Sequence, residues 1–127
     1  MRIQSAKDLI AYRKAFDLAM RIYTLSKQFP AEERYALTSQ IRRSSRSVCL
    51  NLREAWAKRR YEAHFVSKLT DSDGESNETD TALDFALKCG FIPEDVHGEL
   101  VSLNNEVRKM LGAMIEDPAP FLITRNE

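Results

Sequence analysis

Glycine and proline are scarce in this 127-residue chain, four of each. That is too few for the many turns of a β-sandwich or barrel. Cysteine is scarcer still: Cys49 and Cys89 lie far apart and make neither a disulfide framework nor a zinc signature. Each is expected to be a small buried packing residue. No run approaches the roughly 18 consecutive apolar residues of a membrane helix, and Met1-Arg2-Ile3-Gln4-Ser5 lacks the apolar core of a signal peptide. A cytoplasmic protein without membrane contact is therefore expected. Catalytic motifs are missing too: no HExxH, P-loop, GxSxG, or GxGxxG after a strand occurs. His64 and His97 stand alone, without the paired inward Glu-x-x-His motifs that hold di-iron in helical bundles. The expectation is a non-enzyme that carries no metal or cofactor.

What is present suits one soluble helical domain. Hydrophobic residues make up 43% and charged residues 30%, enough for a core and a well-solvated exterior. The net charge of zero conceals a segregation. Residues 1–30 carry six Lys/Arg against two Asp/Glu, and residues 31–60 eight against three. Residues 61–100 reverse this, with two against ten, and 101–127 have three against four. A uniform nucleic-acid binder does not usually have this balance. Complementary halves suggest pairing within or between chains.

Four segments have helical spacing. The first, about 8–28, places Leu9, Tyr12, Phe16, Ala19, Tyr23 and Ser26 on one face, with Ser5 or Asp8 as cap and Pro30 as stop. The second, about 31–59, opens on Glu32 and Glu33 and turns Leu37, Ile41, Ser44, Val48, Leu52 and Ala55 inward. At 1.5 Å per residue it would be about 40 Å long. No Gly or Pro marks its end; the cations Lys58-Arg59-Arg60 and then Glu62 set the boundary. The third, about 62–89, carries Phe65, Leu69, Ser72, Ser76, Thr79, Leu83 and Ala86 inward, with Gly90 as a left-handed cap and Phe91 and Ile92 folding back. The fourth, about 94–116, starts at Pro93 with a seam of Val96, Leu100, Leu103, Val107, Met110 and Met114. Residues 117–127 are a short tail. Short connections imply antiparallel neighbours, hence an all-α, up-down-up-down four-helix bundle.

One constellation has functional interest. Arg42, Arg46, Arg53 and Arg60, at separations of 4, 7 and 7, share a side of the second helix, and Arg43 and Arg59 widen the band. Guanidinium rows match phosphates and carboxylates equally well, and an ion-pair seam with the acidic third helix, of the same or a neighbouring subunit, outweighs nucleic acid. The acidic run Asp71, Asp73, Glu75, Glu78, Asp80 and Asp84 is read as a solvated or arginine-pairing face rather than a metal site. Trp56 is read as a packing or interface residue rather than a base-stacking platform. Serines 39, 44, 45, 47, 72 and 76 crowd the middle of two long helices. Turned inward they would thin the core, and burial in an oligomer would compensate.

The run Phe29-Pro30-x-x-Glu33-x-x-x-Leu37-x-Ser39-Gln40-Ile41-Arg42-Arg43-Ser44-Ser45-x-Ser47-Val48 resembles the bacterial four-helix-bundle family, also called the 23S rRNA intervening-sequence protein family. Asn51-Leu52-x-Glu54, the ending Leu83-x-Phe85-Ala86-x-x-x-Gly90-Phe91-Ile92 and the opening Asp8-Leu9 extend the likeness over about residues 8–116. Four positions depart from the family's usual pattern: Cys49 stands for a proline, Ala55 for a glycine, Tyr61 for a Ser cap and His64 for a capping-box Glu. The first two should straighten the second helix. The resemblance implies a homopentameric ring with no catalytic residues. It also implies kinship with accessory proteins that work with a reverse transcriptase and nucleic acid. The leading expectation is a homo-oligomeric adaptor or scaffold within a ribonucleoprotein. Its rivals are direct RNA or DNA binding through the arginine band and, more remotely, a hydrolase or metal enzyme.

Overall fold

The computed structural model describes residues 3–123. Among them lie four α-helices and no strand: α1 (Ile10–Ser26), α2 (Leu37–Ala57), α3 (Glu62–Lys88) and α4 (Glu94–Glu116). Short 3-10 turns occupy Ala6–Asp8, Ala31–Glu33 and Ala119–Phe121. α2 lies along α3, α3 along α4, and α1 packs against both α2 and α4.

The inward stripes expected for α2 and α3 are buried at every position. α1 differs. Its buried face is Ala11, Ala15, Leu18, Ala19, Ile22 and Ser26, while Tyr12 and Tyr23 lie half-buried on its flank and Phe16 is 50% exposed. Small residues win this face because they let the helix axis come close; the large rings are displaced to the edge. α4 is also rotated from the expected seam. Leu100, Asn104, Val107, Leu111 and Met114 are buried, whereas Val96, Leu103 and Met110 are only half-buried.

The helix ends follow local chemistry. The Ser5 hydroxyl accepts from the Lys7 amide at 3.1 Å, and the Asp8 carboxylate accepts from the Ser5 amide at 3.1 Å, a capping box. α2 begins at Leu37 rather than residue 31. Phe29 and Leu37 both tuck into the core, so the exposed chain between them must turn, and the Glu33 carboxylate caps α2 by accepting from the Leu37 amide at 3.2 Å. α2 ends at Ala57, two residues early, where Arg59 Nε donates to the Trp56 carbonyl at 2.8 Å. At the end of α3, Gly90 adopts φ +78°; its amide bonds Leu87, and the Phe91 amide reaches the Ala86 carbonyl at 2.8 Å. That paired pattern is a Schellman cap, which needs the left-handed geometry glycine supplies. Pro93 is the N-cap of α4 rather than its first residue. The expected tail is partly tied down: Phe121 lies 6.3 Å from Phe65, and the Ile123 amide bonds the Arg59 carbonyl. Residues 124–127 of that tail lie outside the described residues.

The core is divided in two. One apolar cluster holds Leu52, Phe65, Leu69, Val107 and Leu111; the other holds Ile22, Ile41, Leu83, Ile92 and Leu100. Between them sits a polar waist of Ser44, Ser72, Ser76, Thr79 and Asn104, all fully buried. The Ser72 hydroxyl donates to the Val48 carbonyl at 2.8 Å, and the Thr79 hydroxyl lies 2.9 Å from that of Ser44. Asn104 Nδ2 donates to the Ser76 carbonyl at 2.9 Å, while its Oδ1 has no partner among the described residues. The inward serines therefore thin the core as expected, though Ser39 is exposed and Ser47 half-buried.

Leu111→Ala should cost about 2–5 kcal/mol in chemical denaturation, and Leu103→Ala clearly less, its side chain being half in water. Equal losses would contradict this register of α4. The cysteines also part company: Cys49 is buried, which pushes its thiol up to about 11, whereas Cys89 is exposed, contrary to expectation. Cys89 follows the core stripe of α3 at its C-cap, where the helix ends and the chain turns outward. A thiol reagent at neutral pH should modify Cys89 and spare Cys49 until the protein unfolds; mass mapping of simultaneous labelling would refute this.

Candidate functional site

The arginine band divides between two neighbours. Arg42, Arg46 and Arg53 recur every four and seven residues, and that flank of α2 faces α1. Arg43 is one residue on, about 100° around the helix, and points to α3. There it meets Glu75 at 3.2 Å and Glu78 at 3.0 Å. The expected seam between α2 and the acidic helix thus exists at Arg43, while Arg42, Arg46 and Arg53 take no part in it.

Those three lie over tyrosines of α1. The Arg42 guanidinium sits 4.9 Å from the centre of the Tyr23 ring and that of Arg46 5.6 Å from it, with Lys27 Nζ at 4.7 Å. Arg53 lies 5.9 Å from the Tyr12 ring. Tyr12 and Tyr23, eleven residues apart, occupy the same side of α1 three turns from one another. Ser26 fixes the arrangement: its hydroxyl donates to the Tyr23 carbonyl at 3.1 Å and accepts from Arg42 Nε at 2.8 Å. A guanidinium held by its Nε and one face still has in-plane N–H groups for an anion.

Arg59 and Arg60 fall outside the helix that was to carry them, because α2 has already ended at Ala57. Arg59 stacks 3.6 Å over Trp56 and donates to the Phe121 carbonyl at 3.4 Å, tying the chain end to α2. Trp56 itself packs half-buried on the first apolar cluster. Arg60 is exposed in the following turn.

The acidic residues of α3 turn to different partners. Lys68 joins Asp71 at 3.3 Å and Glu54 at 2.9 Å, and Asp84 lies 2.8 Å from His97. Among the described residues no group of three or more His, Cys, Asp or Glu converges. Beside Arg43, burial and the bond with Glu78 push the Glu75 carboxyl above its ordinary range, while the bonds from Glu75 and Arg43 hold Glu78 below it. Glu75 therefore takes the first proton as pH falls, and the Arg43–Glu78 pair persists further into acid. By linkage, the contribution of Glu75 grows as pH falls through its raised value, and that of Glu78 is lost below its depressed one. Elsewhere the charged halves meet across α1 and α4, through Arg21–Glu99 at 2.9 Å and Lys14–Glu106 at 3.0 Å.

A groove of about 490 Å³ runs along the first turns of α2, edged by Arg34, Arg42, Arg43 and Arg46 and by Tyr35 and Leu50. Arg34 and Tyr35 are absent from the band as spacing defines it. They belong to the turn before α2, and the adjacent pair Arg34-Tyr35 was their sequence signal. Tyr23→Leu, which keeps apolar bulk but removes the ring face, should lower stability by about 0.5–1 kcal/mol. Tyr35→Leu should leave it unchanged, and equal effects in urea melts would sink the claim that Tyr23 props the band.

Comparison with known proteins places this geometry among relatives. A solved structure of a protein of unknown function from the S23 ribosomal protein family of Bacteroides thetaiotaomicron superposes with a TM-score of 0.76 at 28% identity. The match covers 84% of this chain and 96% of that one. A comparison with curated proteins gives no significant match. The profile of 23S rRNA-intervening sequence proteins matches residues 7–113, most of the four helices and the whole arginine band, and the chain belongs to that family.

Proposed function

We propose that this protein is a non-enzymatic scaffold: a single up-down-up-down antiparallel bundle that assembles with copies of itself and presents the arginine band to a partner in a ribonucleoprotein. The observation that carries the assembly is the set of large apolar side chains left outside. Ile10 (60% exposed), Phe16 and Met20 on α1 and Phe85 on α3 (59%) all face water. A bundle whose waist is polar has little apolar surface to spare, and such residues mark surfaces that partners cover. A ring, with five copies as its number, uses two different faces of each protomer and closes without unpaired ends. The cytoplasm, where RNA is at hand, is its place of work, and no described helix is long and apolar enough to cross a membrane.

The scaffold reading is also supported by the kind of groups the band contains. Propped guanidinium groups bind anions; they supply neither a nucleophile nor a proton acceptor near neutral pH. The family is named for intervening sequences of 23S rRNA, and the structural relative is described as of a ribosomal protein family. Both names suit a partner that is RNA or that works on RNA, such as a reverse-transcriptase-type protein. Direct binding of nucleic acid by the band is the second reading, favoured because Arg42, Arg46 and Arg53 have no carboxylate partner among the described residues.

Light scattering after size exclusion should give a discrete mass near that of five chains. A monomer at micromolar concentration would overturn the assembly. Phe16→Glu together with Phe85→Glu should shift the assembly toward smaller species without loss of helix content, since both side chains are outside the core.

A further inference from the structure

We propose that the groove along the first turns of α2 holds a short stretch of single-stranded nucleic acid, a base stacking on Tyr35 and phosphates lying on Arg34, Arg42 and Arg46. The inference rests on the band as the docking surface of the scaffold and names its occupant.

The groove has the charge for a polyanion. Among the described residues four arginines edge it and no carboxylate lines it. Three acidic groups beside its lining are otherwise engaged: Glu33 caps α2 at the Leu37 amide, and Glu75 and Glu78 hold Arg43. Arg43 is thereby compensated, which leaves the phosphates to the other three. Arg42 is already oriented by the Ser26 hydroxyl and the Tyr23 ring, so its in-plane N–H groups are set before any ligand arrives.

The aromatic group decides between classes of polyanion. Tyr35 is 88% exposed, in the turn between Ala31–Glu33 and α2. Neither apolar cluster of the described residues includes it; its ring meets the Arg34 guanidinium at 5.6 Å. A tyrosine so placed stabilises nothing in the fold and has ring surface open to solvent. An unstacked base gains from that surface, and a guanidinium beside the ring strengthens the platform. A duplex keeps its base faces to itself, and an acidic peptide would engage the arginines and leave the ring idle. An arginine row with an open aromatic at one end therefore fits a single strand, and a groove of about 490 Å³ has room for one or two nucleotides.

Fluorescence anisotropy on the full chain tests this with a labelled oligouridylate, a duplex of equal length as second probe, and polyglutamate as competitor. The single strand should bind more tightly than the duplex. Its affinity should fall as salt rises, and combined Arg34→Ala, Arg42→Ala and Arg46→Ala should flatten the logarithmic slope by about 0.7 for each phosphate that is no longer neutralised. Tyr35→Ala should weaken binding by about tenfold without altering that slope, and Tyr35→Phe should restore it. Tyr35→Ala binding as well as the unmodified protein overturns the proposal. So does polyglutamate displacing the oligonucleotide at equal charge, which would assign the groove to an acidic protein segment, or the absence of binding at low salt. Light scattering on the same samples reports assembly separately. Loss of oligonucleotide binding with the oligomer intact sinks this inference alone, and binding by a monomer sinks the scaffold reading alone.

Discussion

Hydroxyls buried at the waist of the bundle set the terms for the rest of the molecule. Ser44, Ser72, Ser76 and Thr79 are small enough for α2 and α3 to lie close, and each finds a backbone or hydroxyl partner inside the protein. A polar group at this depth is costly unless it is bonded. Two of these bonds hold only in one alignment: sliding either helix by a turn would strand the Ser72 hydroxyl, which meets the Val48 carbonyl, and would part Thr79 from Ser44, each of which would keep only a carbonyl of its own helix. Buried polar groups of this kind fix register more than they add stability. Asn104 extends the constraint to α4 through the Ser76 carbonyl, and its Oδ1 is the part of the waist that no described residue satisfies.

The exterior answers to that waist. With the middle of the core giving little apolar burial, α1 is secured from outside as well. Lys14 and Arg21 bind it to α4, and the tyrosine flank under Arg42, Arg46 and Arg53 binds it to α2. The same residues thus fasten a helix and form the face proposed for docking, and among the described residues the arginines left without a carboxylate include these three. Arg43, one step around the helix, is spent on Glu75 and Glu78.

Much of the fold is legible in the chain, and the errors have physical causes. α3 and α4 start and stop within a residue of expectation because Glu62, Gly90, Pro93 and Asp117 leave little choice. The stripe of α2 is right throughout, because each of its positions recurs at three or four. α1 misleads: its rings have helical spacing, yet alanines fill the interface because the helix approaches closely. In α4 the polar Asn104 hides a seam that Leu103 and Met110 imitate. The band itself is visible in one helix, but its division between α1 and α3 depends on what lies across from each arginine. No single-helix periodicity contains that, and the exposed Tyr35 has no periodicity at all.

The stacking of guanidinium groups on Tyr23 has a consequence for entropy. A free arginine side chain surrenders up to about 2 kcal/mol of rotamer freedom when an anion fixes it. Arg42, tied to Ser26 and laid on a ring, has given up much of that freedom during folding. Whatever anion settles beside it meets a donor fork already in place, and geometry as well as charge then governs which anions stay. A surface of mobile lysines would attract any polyanion; this one, as the proposed docking face, would discriminate by shape.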